Sequence, residues 1–347
     1  MKRIYSLDLF KLCFAYIIAL GHFGTQVSPG SNVTVQIFFI ISGFFLARKF
    51  YTKSHPYQEN SYNQWNYTLD HVKTLYPHYL FSLLILVCCH LLESLVTGDH
   101  SLSLYGAAQK LYELIPELLL VQNAGFFGGG INYPLWQMCV LVISGYFVYG
   151  VLCLNERNAR YFVFPAAILM IQTLLAQGAD IWGSVGFFHV PLLRAFSPMC
   201  IGVLVYYLTT TPYYAAIKNR SSLFNILSVL ALISIFVFKD HQNIFLITFC
   251  LVLLALYDEK SWLNLVFNRK CFRRFGEFSY AIYLNHALII SLSRNVFFPI
   301  VNRVIGRELP GALEAAVYLV ILTVYSVVTL FIVNRIVRFA AAKRAAK

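Results

Sequence analysis

The chain is dominated by apolar stretches long enough to cross a lipid bilayer. Ten can be marked, at residues 7–24, 33–50, 76–96, 134–154, 161–177, 187–208, 222–239, 243–257, 278–297 and 311–334. A straight crossing helix needs about 20 residues, so the fifth and eighth stretches are short. Hydrocarbon offers no water to main-chain N–H and C=O groups, and a helix satisfies them within its own segment. The expected fold is therefore all-α, a polytopic transmembrane helical bundle of about ten spans. Composition excludes the alternatives. Hydrophobic residues make up 59% of the 347 and charged residues 12%, against about 25% charged in an ordinary soluble domain. A soluble domain could not cover that much apolar side chain, and disorder needs the opposite balance.

Residues 114–130 (LIPELLLVQNAGFFGGG) are apolar but broken by Pro116 and by glycines between Gly125 and Gly130. They read as a re-entrant or interfacial piece, which requires protein or water around its irregular backbone. The net charge is +12. With the N-terminus inside and ten crossings, twenty Lys and Arg fall in cytoplasmic segments and five in outer ones. This asymmetry places both termini in the cytoplasm. The basic stretch 335–347 reads as a short interfacial tail. Cations spread between apolar runs argue against a nucleic-acid partner, and the partner implied is the bilayer itself. The longest cytoplasmic loop, 51–75, is polar and aromatic. Residues 1–347 read as one membrane domain with a retained first helix. Eight cysteines lack metal-site or redox-pair spacing, so no metal is expected.

Ionisable groups inside spans are costly and ask for a reason. In the first span (YSLDLFKLCFAYIIALGH), Asp8 and Lys11 are three residues apart and can pair on one helix face. Lys11 and His22 are eleven apart, which leaves them about 20° apart in direction and about 16 Å apart along the axis. A line of polar groups on an apolar helix suggests a lined path through the bundle; the alternative is an anchoring pair and a helix-end histidine. Arg194 in the sixth span faces a cavity or snorkels outward. His286 follows Tyr280 and Tyr283 in the ninth span, as a site residue or as a packing histidine. Ser42 and Gly43 allow a helix or a ligand to approach closely. Trp136 fits an outer aromatic belt or a substrate contact.

Four stretches make the chain resemble the membrane-bound acyltransferase-3 family of bacterial surface-carbohydrate O-acyltransferases. They are YSLDLFKLCFAYIIALGH, IFFIISGFFL, YPHYL at the start of the third span, and FGEFSYAIYLNH. They correspond to the family's LD, arginine and histidine pattern, its FF-x-x-SGF stretch, its YP pair and its G-x-x-SY-x-x-YL-x-H. The resemblance covers nearly the whole chain and implies about ten spans in the bacterial cytoplasmic membrane. It implies that His22 is catalytic, with Asp8 as its aspartate and Lys11 in place of its arginine. That replacement keeps the charge and loses the bidentate fork. The family usually has two arginines three apart before the YP pair, associated with the acyl donor. Here LDHVKTLYP puts His71 and Thr74 in those places and leaves Lys73 as the basic residue.

The implied activity moves an acetyl or other short acyl group from cytoplasmic acyl-CoA to a hydroxyl of a surface or secreted carbohydrate or lipid-linked glycan. Acyl-CoA is then a donor substrate and not a resident cofactor, with Lys73, Arg48 and Lys49 as candidate donor-binding cations. His22 would act as general base or carry the acyl group. Ser42, Trp136, Arg194, Tyr280, Tyr283 and His286 are the candidates for substrate contact or oxyanion stabilisation. No stretch after the tenth span has room for the esterase-like domain of some relatives, so the membrane domain is expected to complete transfer itself or to hand the group to a separate protein. Glycan-assembly proteins are the possible partners. Two other classes share the hydropathy pattern: a transporter or flippase for a glycan or lipid-linked sugar, and a scaffold for glycan assembly.

Overall fold

Where apolar side chains run without interruption the backbone closes on itself, and the computed structural model is helical along most of the described residues of each marked stretch. It describes residues 3–26, 30–53, 62–97, 112–125, 130–180, 182–219, 221–237 and 242–345. Its long helices are α1 (Tyr5–His22), α2 (Ser31–Lys53), α3 (Gln64–Thr97), α4 (Trp136–Leu154) and α5 (Phe164–Ala176). They continue with α6 (Val190–Leu208), α7 (Ser221–Val237), α8 (Gln242–Tyr257), α9 (Phe275–Leu292) and α10 (Gly311–Ala345). By length and apolarity, seven helical stretches among the described residues can cross a membrane, or eight if the bent pair Pro212–Lys218 and Ser221–Val237 forms one crossing. The expected count of ten crossings is not confirmed by that measure. In α1, Asp8, Lys11 and His22 dilute the apolar run, and α8 contains a shorter apolar helix, Ile244–Tyr257.

Several boundaries differ from the sequence reading, and α10 runs on through the basic stretch to Ala345. Residues 64–75 belong to α3 rather than to a loop. They fold because Tyr67 stacks on Tyr149 of α4 at 4.7 Å, and because Asp70 meets Lys49 of α2 at 3.1 Å. The sixth span begins not at 187 but at Val190, with Pro191 in its first turn, where a missing N–H costs nothing. Before it a short antiparallel hairpin pairs Ser184–Val185 with Phe188–His189. Among the expected features, Lys2, Lys110, Arg220, Lys239, Lys347, residues 54–61 and residues 126–129 lie outside the described residues.

The core is built on close helix contacts. α2 packs along α6, α1 along α9, α9 on α10, α7 on α8, and α4 on α6. The α2–α6 crossing depends on two glycines. A Cβ at Gly43 would strike the main chain of Met199, and one at Gly202 would strike the carbonyl of Ile40. Backbones that close gain dispersion contacts unavailable from lipid, which is what small residues supply in membrane bundles. The small pair at Ser42 and Gly43 therefore divides its work, with Gly43 admitting a helix and Ser42 lining a cavity. Polar cross-links tie the remaining helices. Tyr16 of α1 bonds Thr323 of α10 at 2.7 Å, and Asn285 of α9 donates to Thr329 of α10 at 2.9 Å.

Candidate active site

α1 and α9 lie side by side, and the packing brings the histidines of two separate motifs together. His22 Nδ1 is 2.8 Å from His286 Nε2, and the two rings are stacked with centroids 5.0 Å apart. His286 is fully buried, and its Nδ1 lies 2.6 Å from the carbonyl oxygen of Tyr283. A carbonyl only accepts, so His286 Nδ1 carries a proton. In the neutral pair His286 Nε2 is then the acceptor, and His22 Nδ1–H donates to it. The consequence falls on the other side of His22: its Nε2 is left with a lone pair. A histidine held in one tautomer by a second group is the arrangement general-base chemistry requires.

One irregular segment wraps this pair. Tyr133 meets the His22 ring edge-on at 5.4 Å. The Pro134 carbonyl accepts from the Tyr283 hydroxyl, and the Leu135 carbonyl accepts from Gln122 at 3.0 Å. Trp136 lies under the guanidinium of Arg194, 5.6 Å from ring centroid to Cζ. A single tight turn, Tyr133–Leu135, and the first residue of α4 thus touch His22, Tyr283 and Arg194. The broken stretch before it is held by the YPHYL motif. Tyr76 donates to the Leu118 carbonyl at 2.9 Å and Tyr79 to the Glu117 carbonyl at 2.8 Å. Glu117 and Gln122 are buried, so these polar side chains of the irregular stretch sit in protein.

Arg194 and Trp136 are 3% and 6% exposed, which rules out outward snorkelling for the arginine and a lipid-facing belt position for the tryptophan. Arg194 Nη1 is buried without a hydrogen-bond partner. The hydroxyls of Ser42, Tyr280 and Tyr283 are by contrast all engaged, donating to the carbonyls of Phe38, Leu75 and Pro134. Of these four donors, Arg194 alone has an uncommitted buried N–H to offer a developing negative charge.

Below the histidines lies a cavity of about 210 Å³ lined by Lys11, Ser42, His71, Gln137, Tyr280 and Tyr283 among others. The polar edge of α1 thus does turn inward, with Lys11 in the cavity and His22 on the histidine pair. The expected pairing of Asp8 with Lys11 is replaced. Asp8 is 2.7 Å from Arg3, and Lys11 sits 4.9 Å above the ring of Phe45. Arg3 wins because it approaches from the chain end just below the helix, whereas Lys11 extends into the cavity.

The candidate donor-binding cations are not together. Lys49 is bound to Asp70 at 3.1 Å and packed over the rings of Tyr62 and Tyr67. Lys73 is exposed. Arg48 lines a second cavity of about 340 Å³ with Arg3, Lys218 and Lys260. The sequence reading passed over Arg3, Tyr133 and Arg294. Arg294 donates to the Phe23 carbonyl just beyond α1, satisfying a helix end with a cation. Its place eight residues after His286 is the signal that was available.

Residues 4–335 match the family model described as an acyltransferase domain, that of acyltransferase-3. The chain belongs to the acyltransferase-3 family. No curated protein and no solved structure matches it. It is accordingly an acyltransferase with helices fit to cross a membrane. Within this acyltransferase the family's first and last sequence motifs meet at one hydrogen bond, that between His22 and His286.

Proposed function

We propose that this acyltransferase moves an acetyl or other short acyl group from cytoplasmic acyl-CoA to a hydroxyl of a cell-surface or secreted carbohydrate. It would do so in the bacterial cytoplasmic membrane, with ten crossings and both termini inside. The observation that carries the reading is the His22–His286 hydrogen bond, with the free Nε2 of His22 beside it. In the proposed step the acceptor hydroxyl gives its proton to His22 Nε2 as its oxygen attacks the thioester carbonyl. A carbon–oxygen bond forms, and the carbonyl oxygen takes the negative charge. Arg194, with its uncommitted buried N–H, would answer that charge. Collapse of the tetrahedral intermediate breaks the carbon–sulfur bond, and the thiolate of CoA leaves with the proton from His22. Asp8 takes no part at the reacting atoms, because it is fourteen residues, about 21 Å, from His22 along α1. Its work is to bind Arg3.

The test is ester analysis of surface polysaccharide from cells with the wild-type chain, with His22→Ala, and with none. The proposal expects O-acyl groups only with the wild-type chain and an otherwise unchanged polymer. Loss of polymer export instead of loss of ester would support a transporter. Full ester with His22→Ala would contradict the base assignment.

A further inference from the structure

The turn that touches His22, Tyr283 and Arg194 is itself held by an acid from the broken stretch before it. Glu117 is fully buried, and its Oε1 accepts from the main-chain N–H of Asn132 at 2.9 Å. The main-chain N–H of Ile131 reaches the same carboxyl group. A Cβ at Gly130 would strike that group, so the chain lies directly against it. Asn132 is buried too, and neither its side-chain nitrogen nor its side-chain oxygen has a partner. Among the described residues, Glu117 is thus the side chain that fixes the main chain just ahead of Tyr133. Among them, too, no cation pairs with Glu117, and its Oε2 is buried without a partner. An acid buried away from any counter-charge is costly, and hydrogen bonds from main-chain N–H groups offset part of that cost. Such a group asks for a reason.

The reason lies at the far end of the tie. The residue after Asn132 is Tyr133, whose ring meets His22 edge-on at 5.4 Å. The Asn132 carbonyl accepts from the Leu135 N–H at 2.9 Å, which closes the turn Tyr133–Leu135. Trp136 follows it, under Arg194. A shift at Asn132 therefore displaces together the ring beside the base and the ring beside the oxyanion donor. Glu117 is anchored at its other end, where its carbonyl accepts from the Tyr79 hydroxyl at 2.8 Å and from the Leu120 N–H at 3.0 Å. We propose that Glu117 is a positioning residue for acyl transfer: its carboxyl group sets the main chain at residues 131–132, and through it the seats of Tyr133 on His22 and of Trp136 on Arg194. This rests on the acyl-transfer reading above, and Glu117 itself touches neither reactant. The bonds it accepts are ones that a carbonyl oxygen in the same place also accepts. Glutamine can therefore stand in for it, and methionine, of similar length, cannot.

The experiment compares Glu117→Gln and Glu117→Met with the wild type in lipid nanodiscs, with acetyl-CoA as donor and de-O-acylated surface polysaccharide of the host cell as acceptor. Glu117→Met should lower kcat by at least about tenfold and leave KM for acetyl-CoA within about twofold, because misplaced groups cost turnover before they cost donor affinity. Glu117→Gln should recover most of that loss. The second readout needs no substrate: carbethoxylation of His22 by diethyl pyrocarbonate, followed on its peptide by mass spectrometry. With Tyr133 released from the edge of the ring, His22 should react faster in Glu117→Met than in the wild type, and at the wild-type rate in Glu117→Gln. Thermal unfolding identifies a variant that has not folded, and Glu117→Leu replaces an unfolded Glu117→Met. Wild-type turnover in folded Glu117→Met, or equal losses in the two variants, would overturn the proposal. If the wild type itself transfers no acetyl group, the acyl-transfer reading falls, and the labelling decides the tie alone. An unchanged rate in Glu117→Met would then overturn it, and a faster rate restored by Glu117→Gln would uphold the hold of Glu117 on the turn.

Discussion

A residue-scale consequence follows from the proton on His286 Nδ1. On the proposed mechanism His286 would act through His22, as a positioning residue, without touching the reacting atoms. Glutamine at 286 places an acceptor close to where Nε2 stood, and alanine places none. His286→Ala should therefore lower kcat by at least about tenfold with little change in KM for the acyl donor, and His286→Gln should recover part of the loss. Equal activity of the two variants would reduce the histidine to packing. Arg194 predicts a different signature. Arg194→Lys keeps the charge but loses the planar fork that stacks on Trp136. It should retain membrane insertion and lose turnover. The positions of His22, His286 and Arg194 were legible as ionisable groups in apolar helices. Their relations were not. No spacing tells that Asp8 prefers Arg3, because Arg3 lies beyond the helix whose periodicity the reading used.

At the scale of elements, α2 and α6 are held by backbone contact, and this sets a stability prediction. Gly43→Ala and Gly202→Ala each insert a methyl group where the partner's main chain stands. The helices must separate, at a cost typical of overpacking, about 1–3 kcal/mol. Each variant should unfold at a lower temperature and accumulate in smaller amount, whereas Gly311→Ala, at the open start of α10, should show far less effect. The long helices could be read from hydropathy because each is a property of its own residues. The extension of α3 back to Gln64 could not. It depends on Tyr67 and Asp70 finding partners on α4 and α2, and on its own residues 51–75 look like a polar loop. The break at Pro116 was readable, but its destination was not. The tyrosines of YPHYL, Gln122 and Tyr283, reaching across the chain, hold the turn that sets Tyr133 against His22.

For the whole molecule, the proposal requires donor and acceptor to meet from opposite sides of the bilayer. On the arrangement of cations, the proposal puts both chain ends in the cytoplasm. A protease-cleavable tag after Lys347 should thus be cut in inside-out vesicles and protected in intact cells whose outer surface is exposed to the protease. On this proposal the two reactants would meet along the polar edge of α1, which carries Lys11 in the cavity and His22 on the histidine pair. The most direct measurement is acyl transfer by purified protein in sealed vesicles, with acetyl-CoA on the cytoplasmic face and a carbohydrate acceptor on the other. The wild type should release CoA thiol and esterify the acceptor in equal amounts, and His22→Ala, folded and inserted, should do neither. Undiminished transfer by His22→Ala would contradict the histidine pair as the centre of the chemistry.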